Sequence, residues 1–493
     1  MERREIFFAL ISPIGVDLEA VSQELTEALK GVSYSVNEIR LTDLLREKGL
    51  VKKTHQNEIG RYEDYIAAGD DLCKNTESDI FALYGISRLY KEYPKRDEET
   101  PKEVAHIFRQ IKRVKEIEAL NQVYGRNVIF IGCYAPKSER VQYLVNKMLR
   151  SERRTNRTQL ESEAIKIIST DEDEKDKDFG QKVIDCYPHA DYILDCTSRS
   201  SLKESCDRLI KIFFDHPFIS PSVDEYCSYI ANAASYRSLD LSRQVGAAIF
   251  GEDCQVISLG CNEVPKAGGG TYWEDHPNDK RDFALGYDSN QRVREDMARD
   301  TLNQLNEHKW FKPEIAELTP NDLVSAAFKK DQDGFGPLYG SMMSDVIEYG
   351  RMVHAEMNAL TDAARFGRST KGAVLYCTTM PCHMCTKLII ASGVSKVVYL
   401  QPYGKSLSEE LFSDSIVVDC GHVDGKVSFM TLKGVTPKGF KRAFHKPQKR
   451  KNSNGEAKRW DSNNAAPNFL STFEYYFSLE TKGIEQFRSL MGM

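Results

Sequence analysis

One histidine and two cysteines in the C-terminal half have the spacing of a metal site, and this spacing constrains the fold more than any other feature of the sequence. The segment HAE begins at His354, the segment PCHMC ends at Cys385, and residues 357–380 separate them. His354, Cys382 and Cys385 can supply one imidazole and two thiolates to Zn²⁺. Such a set leaves the fourth zinc position open, as catalytic rather than structural sites require.

The residues around these ligands predict the helices and strands that would hold them. VHAEMNALTDAARF has apolar residues at helical spacing, so we expect His354 near the N-terminus of a helix. Residues 373–379 have a buried-strand pattern and lead into a second helix that starts at the cysteines. Another strand is expected over 396–400. The ligands should therefore lie at two helix N-termini, where the helix dipole favours thiolates.

Glu356 points to catalysis rather than to a structural zinc knuckle. It follows His354 by two positions, too close to be a natural co-ligand. Its carboxylate could carry a proton from a zinc-activated water to a base nitrogen and on to departing ammonia. H-x-E followed by P-C-x-x-C is the pattern of zinc-dependent nucleobase deaminases. A structural zinc knuckle or a chance C-x-x-C remains the alternative, which the H-x-E at this spacing disfavours.

Composition limits the cellular compartment and the class of binding partner that we expect. A chain of 493 residues is expected to form two or more domains. Lys and Arg number 67 against 73 Asp and Glu, and the net charge of −6 gives no overall basic field for nucleic acid. Twelve scattered cysteines indicate a reducing cytosol. With no signal-peptide cleavage site and no apolar stretch of membrane-span length, we expect a cytoplasmic protein with no membrane segment.

Residues 1–215 alternate between strand and helix patterns, which predicts a parallel α/β domain. A strand over 5–12, a turn containing Gly15 and an amphipathic helix open the chain. A P-loop kinase would hold phosphate here, but the G-x-x-x-x-G-K-[ST] motif is absent. Backbone donors at the helix start could still hold an anion, so Gly15 is a candidate for phosphate or nucleotide binding. We predict a nucleotide-kinase-like fold with a degenerate phosphate loop and expect no kinase activity.

Two further segments of this domain also carry structural predictions. Residues 106–125 have helical character and close at Gly125. The polar stretch 151–180 carries DEDEKDKD at 171–178 and predicts a solvated lid or loop.

Residues 216–493 predict a second α/β domain, a zinc-dependent deaminase of cytidine-deaminase-like α/β/α architecture. A helix, a strand pair over 243–250 and 256–265 and then the HAE helix form the order of a deaminase core. Asn262 would lie at the mouth of the zinc pocket, although turn propensity alone explains an asparagine there. Tyr403 and Lys405 could flank the substrate, and a surface turn explains them equally well.

A long insertion, residues 266–350, interrupts this second domain. Gly268, Gly269 and Gly270 would let the backbone approach a ligand, and Trp273 offers a stacking surface. A flexible linker is the alternative, although loops of this length are usually functional. Regulation by dTTP or dCTP at this turn is a hypothesis. Helices are expected within the insertion over 299–330 and 340–350.

The zinc motif, SYRSLDLSRQVGAAIF and GCNEVPKAGGGTYW together make the C-terminal half resemble deoxycytidylate deaminases. The whole chain resembles the bacterial anti-phage dCTP deaminases, in which a P-loop-kinase-like domain precedes the deaminase. FIGCYAP, FGQKVIDCYPHADYILD and DVIEYGRMVHAEMNAL carry this second resemblance. It implies deamination of dCTP or dCMP to dUTP or dUMP, which depletes dCTP during phage attack. It further implies a homo-oligomer held inactive by a small RNA.

The resemblance also implies roles for individual residues. His354, Cys382 and Cys385 would bind zinc and Glu356 would shuttle the proton. Asn262 would contact the sugar. A separate mechanistic hypothesis is that the Ala355 N–H helps to hold the pyrimidine edge.

Two other functions share parts of this pattern. A polynucleotide deaminase acting on tRNA or single-stranded DNA uses the same zinc chemistry. Such enzymes usually carry basic stripes with aromatic residues, which the acidic composition does not favour. A non-catalytic nucleotide-sensing regulator with a relic zinc site is the other alternative, and the intact Glu356 argues against it.

Overall fold

The computed structural model describes residues 4–76, 79–93, 102–151, 156–172, 180–331, 334–404, 406–446, 448–471 and 473–492. Its contacts divide the chain into two units, Met1–Tyr226 with Leu432–Met493, and Cys227–Thr431. Both units mix α-helices with a six-stranded sheet, and most strand pairs are parallel. Within the described parts of the chain, no helix combines the length and the apolar character needed to cross a membrane.

The first unit is built on a parallel sheet. Elements are numbered along the whole chain, and the strands here are β1 (Arg4–Ile11), β2 (Ser35–Arg40), β3 (Glu103–Ile111), β4 (Val128–Tyr134), β5 (Tyr192–Asp195) and β14 (Gly434–Val435). The helices are α1 (Leu18–Lys30), α2 (Asp43–Glu47), α3 (Glu58–Thr76), α4 (Ile80–Glu92), α5 (Val114–Tyr124), α6 (Lys137–Ser151), α7 (Arg157–Glu172), α8 (Val183–Cys186), α9 (Arg199–Phe213), α18 (Phe440–Phe444) and α19 (Phe473–Leu490).

The strand order in this sheet is β14-β5-β4-β1-β3-β2. All neighbours pair in parallel except β14, which runs antiparallel to β5. Seven of the eight residues of β1 are buried, because central parallel strands are covered on both faces. The predicted parallel α/β domain is therefore confirmed as an architecture, while its kinase-like identity stays a prediction.

Two predictions for the first unit were wrong. The helix expected over 106–125 is strand β3 followed by helix α5. Residues 104–108 form an almost wholly apolar run that pairs with β1 on one side and β2 on the other, and periodicity alone cannot separate a fully buried strand from a buried helix. Much of the loop expected over 151–180 is α7, whose apolar side chains pack against α6. Residues 173–179 lie outside the described residues.

The second unit contains the metal-ligand motif. Its strands are β6 (Gly246–Phe250), β7 (Val256–Cys261), β8 (Lys330–Asp331), β9 (Gly334–Phe335), β10 (Val374–Thr379), β11 (Lys396–Gln401), β12 (Ile416–Val418) and β13 (Val427–Thr431). Its helices are α10 (Val223–Ser235), which begins just before the division, α11 (Asp282–Leu285), α12 (Ser289–Glu307), α13 (Pro313–Ala316), α14 (Pro320–Ala327), α15 (Ala355–Arg365), α16 (His383–Ala391) and α17 (Ser408–Leu411).

The main sheet of the second unit has the order β12-β13-β11-β10-β6-β7. Strand β6 runs antiparallel to both β10 and β7, and the other neighbours are parallel. The strand pair, the α15 helix and the β10–α16–β11 segment confirm the elements predicted around the motif. The helix predicted over 340–350 is absent from the described residues there, which contain a short 3₁₀ turn at Met342–Asp345.

The C-terminal residues do not follow the predicted division at 215/216. Residues 432–493 belong to the first unit rather than to the predicted second domain. Strand β14 pairs with β5, and the Val435 N–H donates to Glu225 Oε1 over 2.8 Å. Pairing between residues so far apart in sequence leaves no local signal, so composition and spacing do not reveal it.

Candidate active site

Three metal-ligand side chains meet at two helix N-termini of the second unit. His354 immediately precedes α15, Cys382 immediately precedes α16, and Cys385 lies in the first turn of α16. His354 Nδ1 lies 3.3 Å from Cys382 Sγ and 3.4 Å from Cys385 Sγ. All three donor atoms lie within 4.8 Å of one another. The predicted placement at two helix N-termini is therefore confirmed.

A glycine in β7 sets the position of the helix that carries His354. A Cβ on Gly260 would overlap the Ala355 carbonyl oxygen and lie 2.5 Å from the Ala359 nitrogen. Only glycine lets the strand lie directly against the first turn of α15. The β10–α16–β11 connection brings the cysteines to the same edge, because β10 and β11 are parallel neighbours.

Glu356 faces the same cluster from the first turn of α15. Glu356 is only 4% exposed, and Cys385 Sγ lies 3.4 Å from Glu356 Oε2. Burial and the neighbouring Cys382 sulfur raise the pKa of Glu356 above its usual range. A carboxyl in this position can hold a proton beside the metal ligands.

The electrostatics of the three ligands fit a divalent cation. The hydrogen bond from Cys385, with further help from His354, lowers the pKa of Cys382 to about 4 although burial opposes the shift. Burial raises the pKa of Cys385 well above its usual range, and Cys382 and Glu356 add to the rise. Burial alone would lower the pKa of His354, but the Cys382 thiolate reverses the shift. Three acidic groups thus crowd one imidazole in a buried space, and buried charges of this kind are paired or coordinate metals.

His354, Cys382 and Glu356 open onto a cavity of about 160 Å³. Its walls include Arg243, Asn262 and Tyr403 together with Asp288 and Asn290 from the insertion. The cavity therefore joins the metal ligands to polar groups from four separate parts of the second unit.

The insertion forms a wall of this cavity, which the sequence had not suggested. Asp288 caps α12 by accepting hydrogen bonds from the Asn290 and Gln291 N–H groups. Asn290 Nδ2 donates to the Val346 carbonyl over 2.8 Å, and Asn290 Oδ1 accepts from the Tyr349 N–H. An aspartate just before a helical segment is an N-cap signal, and it could have located this wall.

Asn262 lines the cavity but also holds its neighbouring loop. Its Oδ1 accepts from the Val245 N–H over 2.7 Å. Its Nδ2 donates to Asp240 Oδ2 over 2.9 Å and to the Arg243 carbonyl over 2.8 Å. Both amide hydrogens are therefore already used, and the predicted contact with a sugar stays a prediction that rests on the remaining lone pair of Oδ1.

The other predicted substrate contacts divide into two groups. Ala355 is fully buried. Both Ala355 and Tyr403 line the cavity. Lys405 lies outside the described residues. Arg243 was not among the residues predicted from the sequence. Its guanidinium carbon lies 4.8 Å from the centre of the Tyr403 ring. No carboxylate of a described residue lies within 4.0 Å of that guanidinium, and a lone arginine in a polar segment gives no spacing signal.

The glycine turn of the insertion does not line the cavity. Gly268, Gly269 and Gly270 all have positive φ, and a Cβ on Gly269 would lie 2.7 Å from Arg365 Cδ. The ring of Trp273 is stacked by the Arg237 guanidinium at 3.7 Å. These residues form a tight turn away from the zinc ligands, and their predicted role in regulation stays a prediction.

Gly15 has a packing role in the first unit. Its φ is +95°, and a Cβ would lie 2.6 Å from Arg140 Cβ and 2.8 Å from the Arg140 carbonyl oxygen. The glycine is therefore needed for close approach to α6, and its predicted contact with phosphate stays a prediction.

Comparisons with known proteins point to one family for the region around the motif. Residues 221–401 match the family model of the cytidine and deoxycytidylate deaminase zinc-binding region. The deoxycytidylate deaminase of Enterobacteria phage T2 is 48% identical over 54 residues, 11% of this chain and 29% of the phage protein. The deoxycytidylate deaminase of Saccharomyces cerevisiae is 27% identical over 219 residues, 43% of this chain and 50% of the yeast protein. The chain thus spans half or less of the length of these relatives.

A solved structure is also similar at a low level. The dCMP deaminase of cyanophage S-TIM5 covers 43% of this chain and 100% of its own, with 17% identity and a TM-score of 0.23, which is too low to carry an argument. The family match and the ligand geometry together establish a zinc-binding deaminase region in the C-terminal half, with Zn²⁺ as its cofactor.

Proposed function

We propose that the deaminase region in the second unit of this protein catalyses the zinc-dependent hydrolytic deamination of deoxycytidine nucleotides. The substrate is dCTP, dCMP or both, and the product is dUTP or dUMP. One observation carries the proposal. The imidazole and two sulfurs that can hold zinc lie beside the buried carboxylate of Glu356, and His354, Cys382 and Glu356 face one cavity.

The reaction replaces the 4-amino group of cytosine with oxygen. Water adds to C4, the C4–N4 bond breaks, and ammonia leaves. His354, Cys382 and Cys385 would hold Zn²⁺, which would supply Lewis-acid chemistry that lowers the pKa of water to about 7. Glu356 would take one proton from the attacking water and deliver it to N3. It would then take the second proton from the new C4 hydroxyl and deliver it to the amino group, which leaves as ammonia.

The surrounding backbone orients the pyrimidine. Ala355 lies between a zinc ligand and the proton carrier at the start of α15, where the first N–H groups of a helix have no partner within the helix. We assign its N–H to the pyrimidine edge and Asn262 Oδ1 to the sugar.

Arg243 is the group we assign to the nucleotide phosphate. Arginine binds phosphate oxygens through a planar fork of N–H donors. Its guanidinium stacks on Tyr403 and has no carboxylate partner among the described residues, so its charge remains available at the cavity wall. Asp240 and Asp288 line the same cavity, but Asn262 and the start of α12 already engage them.

A panel of substrates tests the proposal against its alternatives. Purified protein is incubated with dCTP, dCMP, deoxycytidine, a cytosine-containing single-stranded DNA and a tRNA, and uracil or hypoxanthine products are measured by chromatography. We expect turnover of the nucleotides and little of the polymers. Turnover confined to a polymer would replace this proposal with a polynucleotide deaminase, and turnover of none would favour a nucleotide-sensing regulator.

The cellular role we propose is depletion of dCTP as a defence against phage, supported by the resemblance of the whole chain to bacterial anti-phage dCTP deaminases. The same resemblance supports a cytoplasmic homo-oligomer that a small RNA inhibits and that dTTP or dCTP regulates. Measuring dCTP in phage-infected bacteria that express either the natural chain or Glu356→Ala tests this role. Equal dCTP pools in the two cultures would exclude it.

A further inference from the structure

Two serine hydroxyls hold the peptide group that precedes the first cysteine ligand. Ser406 Oγ donates to the Pro381 carbonyl over 2.9 Å, and Ser408 Oγ reaches the same carbonyl over 3.3 Å. A peptide group is planar, so this carbonyl shares a plane with the Cα of Cys382. Fixing the carbonyl therefore restricts the direction in which the Cys382 side chain leaves the backbone.

A third hydroxyl lies directly after the second cysteine ligand. Thr386 follows Cys385 in α16, and its N–H donates to the Cys382 carbonyl over 2.9 Å. Thr386 Oγ1 lies 2.8 Å from Ser408 Oγ, which in turn lies 2.7 Å from Ser406 Oγ. The three hydroxyls therefore contact the chain on both sides of the cysteine pair, before Cys382 and after Cys385. We call them the hydroxyl cluster.

The hydrogens of this cluster can form one directed chain of hydrogen bonds. Each hydroxyl has a single hydrogen to donate and can also accept. One bond can run from Thr386 to Ser408 and the next from Ser408 to Ser406. The Ser406 hydrogen then completes the chain at the Pro381 carbonyl. Hydrogen bonds in such a chain polarise and strengthen one another, so the cluster acts as a unit.

Burial makes the hydroxyl cluster sensitive to the loss of any member. Thr386 and Ser408 are both fully buried. Burying a hydroxyl is unfavourable unless it is hydrogen-bonded, and removing one partner leaves the other unsatisfied. A contact that only filled space could use apolar side chains of the same size. The placement of the hydroxyls around the two cysteines therefore favours a role in orienting the ligands over a role in packing.

We propose that Thr386, Ser406 and Ser408 are positioning residues that hold the two cysteine sulfurs in place for Zn²⁺. Ligands that are already placed lose less conformational freedom when the metal binds, and this raises its affinity. Groups that orient metal ligands typically change metal affinity by about 10- to 100-fold. The inference rests on the zinc-binding role of the three ligands and is independent of which nucleotide is the substrate.

Replacing Thr386 with valine or with serine separates the hydroxyl from the rest of the side chain. Thr386→Val keeps the shape and removes the hydroxyl, whereas Thr386→Ser keeps the hydroxyl and removes a methyl group. The affinity of the full chain for Zn²⁺ is measured by competition with a chelating dye, together with the thermal unfolding midpoint of the zinc-free protein. We expect Thr386→Val to weaken zinc binding about 10- to 100-fold and Thr386→Ser to weaken it by less than about threefold.

Thr370→Val is a matched control at the other end of α16. Thr370 Oγ1 donates to the Ser392 carbonyl over 2.8 Å, so this change removes a hydroxyl-to-carbonyl bond away from the ligands. The thermal midpoint should fall in this variant while the zinc affinity stays unchanged. Ser406→Ala, at a partly exposed position, serves if Thr386→Val does not fold, and it should weaken zinc binding about tenfold or more.

Two results would overturn the proposal. One is a folded Thr386→Val or Ser406→Ala chain that binds Zn²⁺ as tightly as the natural chain. The other is an equal loss of zinc affinity in the valine and serine variants of Thr386, which would assign the effect to packing of the methyl group. Because zinc binding is measured without substrate, a failure of the proposed deamination would leave this result unaffected.

Discussion

Replacing Glu356 with glutamine tests the central step of the proposed reaction. The change keeps the shape of the side chain but removes the group that carries the proton. General acid–base catalysis contributes about 10²- to 10⁴-fold to a rate, which is about 3 to 5 kcal/mol of activation free energy. The same carboxyl serves two proton transfers here, so we expect a loss at the upper end of that range or beyond.

Among the described residues that line the cavity, no other carboxyl is free to replace that of Glu356. The other carboxylates that line the cavity are Asp240 and Asp288, and hydrogen bonds to Asn262 and to the start of α12 hold them. Zinc should still bind, because the carboxylate is not one of the three ligands.

The assay compares the rate of dCMP or dCTP deamination with the zinc content of the same preparations. Asp362→Asn is a matched control on α15, since Asp362 pairs with Arg365 on the far part of that helix. We expect full zinc content in both variants and loss of turnover in the Glu356 variant alone. Turnover within tenfold of the natural chain, with zinc bound, would falsify the assignment of Glu356.

Four other predictions follow from the site and its supports. Arg243→Met should raise KM for dCMP about 10- to 100-fold, because the charge-assisted hydrogen bond to the phosphate is lost. The turnover of deoxycytidine, which has no phosphate, should stay unchanged. An equal effect on both substrates would contradict a phosphate contact. Removing zinc with a chelator should abolish deamination and lower the thermal midpoint, and added Zn²⁺ should restore both; activity that survives full metal loss would exclude the mechanism. Gly260→Ala should destabilise the second unit by about 1–3 kcal/mol or more, because β7 must move away from α15. Gly421→Ala is the control and should not destabilise it, since a Cβ there would have no atom within 4 Å. Burial opposes ionisation of Asp195, but Lys433, at 2.8 Å, and hydrogen bonds from Thr197 together outweigh burial and lower the pKa of this carboxyl. The stabilisation that ionised Asp195 provides is therefore present above about pH 4 and is lost as the pH falls through its lower folded pKa. Urea unfolding of Lys433→Met should show a shallower loss of stability over that acid range.

The zinc ligands could be predicted from the sequence because a local pattern encodes them. Two helix N-termini, each next to a strand, place the donors, and the spacing of His354, Cys382 and Cys385 contains that information. The position of Glu356 is specified in the same way. Glu356 follows His354 by two residues at the start of one helix, and helix geometry fixes its direction relative to His354. The strand–helix alternation likewise predicted the parallel α/β architecture of the first unit.

Groups that come from distant segments could not be predicted in this way. Arg243 and the insertion wall reach the cavity through long-range contacts, and no spacing rule connects them to the zinc ligands. The same holds for β14, which joins the first unit from the far end of the chain.

The sequence by itself determined which side chains meet at the candidate zinc site, because those side chains lie within short, regular elements. Only the tertiary structure decided that 103–111 is a strand, since two flanking strands supply its hydrogen bonds. It also decided that the acidic end of a helix fills the turn after β1, where Asp171 meets Ile14 and Lys112. The physical reason is the same in both cases: a buried polar group or strand is satisfied by partners far away in the chain, and local propensity contains no record of them.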